Sequence, residues 1–343
     1  MKYGIVGFGP RSKAIKFAIG GQMELTTIFD PNLEAQKLAE KNHLKIAENY
    51  EEMVSSDLDA IIIASPPQFH AEQAIKALEA GKHVFAEVPM VIKEEDIQKI
   101  IAADEENPKA KYMLGENNCF DPDVLYAQYL ASTGKLGPIV YAEQEYVHDV
   151  SYRWRGRNVS DYKNTPKQKN WYSLFDPLAY AHTILPAQVA MGGLKSPMKF
   201  IETQSYATDN GGEDGHPVCA PAKAFHVALF KSTTGAICKC TAAYVYARSP
   251  TRYTSMLVGR FGSFESMGHG WERAYLYLAD GFNIESGHRK GKKISMNRWG
   301  RLLKFLKEQK YNVFSQDKRL LDEFMASIKE DRLPLLNSRA VAD

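Results

Sequence analysis

The sequence is poor in cysteine, has no long apolar run and carries little net charge, and each absence excludes a class of protein. Four cysteines in 343 residues are too few for a disulfide-rich secreted domain. The longest apolar runs, such as residues 60–64, fall far short of the roughly 20 residues that a membrane helix requires. Lysine and arginine total 43 against 41 acidic residues, and this near balance argues against nucleic acid as a partner.

Targeting and metal-binding signals are also missing. The chain opens directly into a strand-like segment, so we expect a cytoplasmic protein with reduced thiols and no membrane partner. Cys238 and Cys240 would share one face of a strand, but no second pair has zinc spacing, and we therefore expect no metal. No Gly-x-Ser-x-Gly or P-loop motif occurs. The basic stretch 288–304 is interpreted as a solvated loop or an oligomer edge.

Length and composition predict two domains, because 343 residues with 44% hydrophobic content exceed one compact core. Between residues 2 and 115, strand-length apolar segments alternate with helix-length amphipathic segments, which is typical of a parallel sheet covered by helices on both faces. Strands are predicted near residues 2–6, 23–29, 44–47, 59–64, 82–86 and 111–115. Helices are predicted near residues 11–19, 32–41, 50–55, 69–80 and 93–106.

The alternation changes after about residue 120, which predicts an α+β domain. A helix near 121–133 and a last helix at 316–331 flank strand-like segments near 138–148, 198–208, 223–231, 236–246, 254–260 and 272–279. Residues 149–197 show no clear strand period, and long connections of this kind are often functional. We place the two domains at 1–119 and 120–343, with a C-terminal helix that is able to pack back on the first domain.

The first predicted strand runs into a turn of the form Gly-x-Gly-x-x-Ser, built by Gly7, Gly9 and Ser12. The first glycine permits a tight turn, the second lets the backbone approach a pyrophosphate, and a small third residue lets the helix pack on the strand. Pro10 suits the first turn of a helix, whose N-terminus attracts phosphate. The second strand ends at Asp30, 18 residues after Ser12, where an acid would bind ribose hydroxyls.

This turn predicts a dinucleotide site, with a purely structural turn as the alternative. Pro31 and Asn32 provide no positive charge for a 2′-phosphate, which favours NAD over NADP. Ser65 and Pro66 follow the fourth strand, and ligands of open parallel sheets lie beyond such carboxyl ends. The alternative there is that the prolines merely end the strand and His70 caps a helix.

Four motifs together resemble the Gfo/Idh/MocA family of oxidoreductases, in order and in spacing. They are the Gly7-to-Ser12 loop, Ser65-Pro66-Pro67 with His70, the G-K-H-V-x-x-E-x-P run at 81–89, and Lys135-Leu136-Gly137 with Gly262-Ser263-Phe264-Glu265. The resemblance implies a Rossmann domain with a doubly wound parallel sheet, then a domain with a large open mixed or antiparallel sheet, and NAD between them. It also implies sugar or cyclitol substrates. The predicted cofactor-binding residues are Gly7, Gly9, Pro10, Arg11, Ser12, Asp30, Ser65, Pro66, His70, Glu87 and Asn117.

The chain departs from this family at two acid–base positions. Val88 stands in place of the lysine of the usual Glu-Lys-Pro motif, and valine cannot move a proton. His182 fits the histidine of the usual Asp-x-x-x-His motif, but Leu178 stands where the aspartate is expected. Tyr180 and His182 instead resemble a Tyr-x-His element of the family's NAD-dependent glycosidase branch.

Tyr180 and His182 are the predicted catalytic pair. They would share a face if this segment were a strand and diverge by about 200° if it were a helix, and the sequence leaves both open. The alternatives are a core histidine at 182 and a tyrosine at 180 that simply packs.

Candidate substrate-binding residues come from the second domain. Arg153 and Arg155 are suited to clamping an anionic substituent, and Trp171 to stacking on a sugar ring. His148 and His226 lie at or within predicted strands, where structural histidines are the alternative.

The sequence therefore predicts an NAD-dependent oxidoreductase that acts on a secondary hydroxyl of a sugar, cyclitol or derivative. One alternative is a redox-neutral glycosidase or lyase that oxidises, eliminates and reduces with retained NAD. Another is a catalytically silent NAD-binding sensor. The second sheet, with too few helices to cover both faces, predicts a homodimer or homotetramer.

Overall fold

The chain forms two compact units. A computed structural model describes residues 1–147, 178–193, 198–206, 225–243, 252–266, 274–282, 289–296 and 298–342. The first unit contains Met1–Asn117 together with Phe314–Asp343, and the second contains Asn118–Val313. The first unit is therefore discontinuous in sequence, because residues 314–343 belong to it and not to the second unit.

The first unit is built on a six-stranded sheet in the order β3-β2-β1-β4-β5-β6, in which every neighbouring pair is parallel. Its strands are β1 (Lys2–Val6), β2 (Glu24–Phe29), β3 (Lys45–Ile46), β4 (Ala60–Ile63), β5 (His83–Ala86) and β6 (Tyr112–Leu114). Its helices are α1 (Pro10–Ile19), α2 (Leu33–Lys41), α3 (Tyr50–Ser55), α4 (His70–Glu79), α5 (Glu95–Glu106) and, at the end of the chain, α9 (Gln316–Lys329). The strand order reverses beside β1, and the predicted doubly wound sheet is confirmed.

The central strands form because they are apolar on both faces. All four residues of β4, Ala60–Ile63, are fully buried, as expected for a parallel strand that has helices on both sides. Asn32 and Asn49 accept backbone hydrogen bonds at the starts of α2 and α3, which fixes where these helices begin. The sequence positions of all these elements agree with the predictions to within two residues.

The C-terminal segment completes the first unit. The ring of Phe324 in α9 packs edge-on against Phe85 in β5, with 5.6 Å between the ring centres. Beyond the helix, the N–H of Leu114 in β6 donates to the carbonyl of Leu336 at 2.9 Å. This bond pairs the edge of the sheet with the chain terminus and covers an otherwise open strand.

The second unit is built on an eight-stranded sheet in the order β14-β13-β12-β11-β7-β10-β9-β8. Its strands are β7 (Ile139–Val147), β8 (Met198–Tyr206), β9 (Phe225–Ser232), β10 (Ile237–Ala243), β11 (Arg252–Gly259), β12 (Gly262–Ser266), β13 (Ala274–Phe282) and β14 (Arg289–Met296). Its helices are α6 (Pro122–Ser132), α7 (Leu178–Ala190) and α8 (Leu303–Glu308). The pair β7–β10 is parallel and the other neighbouring strands are antiparallel, so the predicted mixed sheet is confirmed.

The basic stretch near residue 290 forms a strand, so the interpretation of a loop was wrong, while the alternative of an oligomer edge stays a prediction. Arg289–Met296 forms β14, the edge strand beside β13. Lysines such as Lys292 and Lys293 are exposed there, and charge on an edge strand opposes pairing with a further strand.

No helix among the described residues is both long and apolar enough to cross a membrane.

Candidate functional site

The Gly7-to-Ser12 turn leaves backbone accessible at the start of α1. Gly7 has φ +82°, and a Cβ atom there would lie 2.4 Å from the carbonyl oxygen of Ala64, so glycine is required. A Cβ at Gly9 would meet no atom within 4 Å, which shows open space beside the turn. Pro10 is the first residue of α1, and Ser12 is buried with its hydroxyl donating to the carbonyl of Gly9 at 2.7 Å. Open backbone at a helix N-terminus fits the pyrophosphate of a dinucleotide.

Asp30 lies at the end of β2 and holds this turn. Its Oδ2 accepts the N–H of Phe8 at 2.6 Å, and its Oδ1 accepts the N–H of Asn32 at 2.8 Å. The residue is partly exposed, and a carboxylate has about four acceptor positions, so both oxygens keep capacity for a ribose hydroxyl. Asp30 therefore fits the ribose-binding role. Its hydrogen bond from Phe8 also fixes the conformation of the Gly7-to-Ser12 turn.

Replacing Asp30 by alanine is expected to weaken NAD binding by about 1–3 kcal/mol, because hydrogen bonds to a charged group are lost. Isothermal titration of the purified protein with NAD measures the change. Equal affinity in wild type and Asp30→Ala contradicts the assignment, and tighter binding of NADP than NAD by the wild type contradicts the specificity.

Ser65 and Pro66 follow β4 at the same edge of the sheet, and His70 lies beneath them. His70 is buried, with Nδ1 2.8 Å from the carbonyl oxygen of Pro89 and Nε2 2.8 Å from that of Ser65. Burial lowers the pKa of His70 below its usual value. Both ring nitrogens thus lie at hydrogen-bond distance from backbone carbonyl oxygens. We therefore interpret His70 as supporting the Ser65 turn, which differs from the predicted direct contact with the cofactor.

Arg11 and Glu87 form a partly buried ion pair at this edge. The Nε of Arg11 donates to Oε1 of Glu87 at 2.8 Å, and its Nη1 donates to Oδ1 of Asp317 at 2.9 Å. Burial raises the pKa of Glu87, which the positive charge of Arg11 opposes. Asn117, the last predicted cofactor residue, follows β6 and opens a short helical turn.

The second unit carries its candidate side chains at one end of its sheet. The rings of His182 in α7 and Tyr146 in β7 are stacked, with 4.6 Å between their centres and 30° between their planes. Ala242 is the cross-strand partner of both Tyr146 and His226, so these three side chains share the face on which His182 packs. His226 is only 2% exposed. A solvent-accessible imidazole at His182 and a buried one at His226 thus face the same side of the sheet.

Residues 178–190 are helical, which decides between the two alternatives for the predicted catalytic pair. Positions 180 and 182 are therefore about 200° apart around the axis of α7. The side chain of Tyr180 lies outside the described part of the structure, as do His148, Arg153, Arg155 and Trp171.

Three residues near these sites were not singled out from the sequence: Asp317, Tyr146 and Gln144. Asp317 is 306 positions from its partner Arg11, so no local pattern links them. Tyr146 and Gln144 are two positions apart and both lie on the buried face of β7. This spacing predicts that the face is buried, but it does not identify the His182 ring that packs against it. Cys238 and Cys240 do share a face, with their sulfur atoms 3.8 Å apart, and no metal-binding cluster of three ligands occurs among the described residues.

Residues 1–115 match the family model described as oxidoreductase family, NAD-binding Rossmann fold. An uncharacterized oxidoreductase of Streptococcus pneumoniae is 30% identical over 197 residues, which are 57% of this chain and 51% of that protein. A protein of Shewanella baltica named glycosyl hydrolase family 109 protein is 29% identical over 126 residues, which are 36% of this chain and 27% of that protein. The match thus spans about half or less of each relative's length.

A solved structure of levoglucosan dehydrogenase in complex with NADH and levoglucosan matches the whole fold. The alignment covers 100% of this chain and 93% of that one, with a TM-score of 0.76 and 17% sequence identity. At this identity the likeness concerns the fold, and it extends through both units.

Proposed function

We propose that this chain, whose residues 1–115 belong to the NAD-binding Gfo/Idh/MocA oxidoreductase family, oxidises a secondary hydroxyl group of a sugar, a cyclitol or a related compound. The observation that carries the proposal is the open Gly9 backbone at the start of α1 beside the carboxylate of Asp30. These two features bind the pyrophosphate and the adenosine ribose of NAD, and the nicotinamide half of the cofactor is the part that reacts.

NAD, when bound, accepts a hydride from the carbon that carries the hydroxyl group. A base must take the hydroxyl proton as that hydride leaves. Val88 has no proton to exchange, so we assign the base to His182, whose ring is partly exposed and is held by Tyr146. His226 is buried on the same sheet face and is the reserve candidate for the same task.

A redox-neutral cleavage of glycosides is the second candidate function. The name of the Shewanella relative and the valine at position 88 favour it. In that reaction NAD would first take a hydride to leave a ketone, which makes the neighbouring C–H acidic. Loss of that proton to a base would expel the protonated glycosidic group and leave a C=C bond, water would add to this bond, and the hydride would return to the ketone. NAD is then not consumed.

One experiment separates these functions. The purified protein is incubated with NAD and a panel of free sugars, cyclitols and chromogenic glycosides, and the absorbance of NADH and the release of aglycone are followed together. We expect NADH to accumulate with at least one free sugar or cyclitol. Release of aglycone without net NADH would assign the redox-neutral function instead, and no conversion of any compound would assign a silent NAD-binding protein. The Asp30→Ala variant is the matched control for NAD dependence.

We also propose that the open face of the second sheet forms a symmetric contact between two copies of the chain. The helix α7 covers the face that carries Tyr146, while the opposite face presents partly exposed apolar side chains across neighbouring strands. Cross-strand partnership places on that face Tyr141, Leu229, Ile237, Met256, Val258, Tyr275 and Tyr277. Charged residues such as Glu143 and Lys239 lie on the same face. A sheet face with several partly exposed apolar side chains is a common site of closed, two-fold assembly.

Replacing Met256 by glutamate is expected to dissociate this contact, because the new carboxylate lies between Glu143 and Glu265 in the same cross-strand row. Light scattering at micromolar concentration measures the mass. Thr233→Glu, in an exposed turn, is the matched control and should leave the mass unchanged. A monomeric wild-type protein would refute the assembly.

A further inference from the structure

Arg11 is fixed by two carboxylates that come from distant parts of the first unit. Glu87 follows β5 and binds Nε, whereas Asp317 lies in the first turn of α9 and binds Nη1. A guanidinium is planar, so bonds to two of its nitrogens from two directions leave it no free rotation. Arg11 is therefore immobilised by the protein itself.

The backbone of Arg11 belongs to the phosphate-facing end of α1. The first N–H groups of a helix have no acceptor within the helix, and Pro10 has none to offer. The N–H groups of Arg11 and Ser12 are consequently the first donors available to a pyrophosphate at this terminus. Fixing the side chain of Arg11 fixes where these donors point.

The three charged side chains are partly desolvated, which distinguishes them from surface ion pairs. Their exposed fractions are 33% for Arg11, 11% for Glu87 and 23% for Asp317. Charge-assisted bonds in such surroundings hold their geometry more firmly than exposed pairs, whose contribution is small.

The helix that carries Asp317 is itself well fixed in the first unit. The hydroxyl of Ser315 accepts the N–H of Lys318 and caps α9. The helix lies in contact with α1, and its Leu320 and Leu321 are buried. A carboxylate in the first turn of a helix is stabilised by the helix dipole.

We infer that Asp317 is a positioning residue of the dinucleotide site, which acts through Arg11 to hold the start of α1 in the orientation that binds the pyrophosphate. Asp317 lies outside the residues matched by the family model, and its hydrogen bond to Arg11 connects it to the glycine turn. The inference rests on the NAD site of the proposed function and is independent of the substrate.

The test measures the dissociation constant of NAD by calorimetry at 25 °C, with circular dichroism confirming that each variant is folded at that temperature. Asp317→Asn is expected to weaken NAD binding about three- to tenfold, because the amide oxygen of asparagine still accepts from Arg11 but no longer carries the negative charge that strengthens the bond. Asp317→Glu keeps the carboxylate and should recover most of the affinity. The control is Asp322→Asn on the same helix, which loses bonds to Gln22 and Lys318 but has no link to Arg11, and it should bind NAD as the wild type does.

A double-mutant cycle then asks whether the effect passes through Arg11. In an Arg11→Met background, Asp317→Asn should change the dissociation constant by less than about twofold. Should Arg11→Met fail to fold, Arg11→Lys replaces it, and the effect of Asp317→Asn should again shrink.

Two results overturn the inference. Unchanged NAD binding in Asp317→Asn would show that the bond to Arg11 does not position the turn, and tighter binding would show that the loss of a negative charge outweighs any positioning. An equal loss of affinity with and without the Arg11 side chain would show that Asp317 acts by another route. Neither result depends on whether a sugar is ever oxidised, so a failure here is distinct from a failure of the proposed function.

Discussion

Replacing His182 by alanine is expected to slow hydride transfer to NAD about 10²- to 10⁴-fold, the usual contribution of a positioned proton acceptor. The affinity for NAD should stay nearly unchanged, because the glycine turn and Asp30 belong to the other compact unit. Stopped-flow formation of NADH with a substrate found in the panel measures the rate, and calorimetry measures NAD binding. If the reaction is the redox-neutral cleavage, release of aglycone is followed instead, with exchange of the neighbouring C–H in deuterated water.

Tyr180→Phe is the matched variant for this prediction. Because α7 directs residues 180 and 182 about 200° apart, we expect it to lose much less activity than His182→Ala. A loss of equal size in both would mean that both side chains serve the reaction. A near-normal rate in His182→Ala would contradict its role and make His226 the next residue to replace.

Replacing the two glycines of the cofactor turn by alanine is expected to have different effects: Gly7→Ala should lower the stability of the protein, and Gly9→Ala should weaken NAD binding. Gly7→Ala places a methyl group 2.4 Å from the carbonyl oxygen of Ala64 at a positive φ, so the free energy of unfolding should fall by about 2–4 kcal/mol. Gly9→Ala adds a methyl group in open space at φ −93°, so the unfolding free energy should change by less than about 1 kcal/mol. That methyl group nevertheless occupies the space where a pyrophosphate approaches, and NAD affinity should fall about 10- to 100-fold.

Urea unfolding and calorimetry separate these effects. Normal NAD affinity in Gly9→Ala would show that the pyrophosphate does not approach this backbone. A stable Gly7→Ala protein would show that the turn relaxes and that the positive φ is not required.

The first unit could be predicted closely because its signals are local. A run such as Ala60–Ile63 is apolar on both faces, and it therefore predicts a buried parallel strand without knowledge of the rest of the chain. The glycine turn is equally local, since its role depends on a strand before it and a helix after it. These local features are sufficient to predict the cofactor site from the sequence alone.

The second unit was harder to predict because the sequences of two of its elements, α7 and β14, show no clear helix or strand periodicity. Helix α7 is apolar around most of its circumference and contains Pro186, which usually argues against a helix interior. Strand β14 carries lysines that are typical of a loop. Two contacts of the candidate site could not be predicted, that of His182 with Tyr146 and that of Arg11 with Asp317. Each joins residues that are brought together only by the complete fold, and no local sequence pattern indicates the pairing.

The division of the first unit has a consequence for how the protein is made. Its sheet and glycine turn are complete by residue 117, but α9 and the strand-edge partner Leu336 follow only after the 196 residues of Asn118–Val313. During synthesis on the ribosome, Phe85 and the edge of β6 therefore lack their packing partner Phe324 and their hydrogen-bond partner Leu336 until nearly the whole chain has been translated. A nascent chain halted before residue 316 is expected to remain protease-sensitive in residues 1–117, even though it contains every residue of the nucleotide turn.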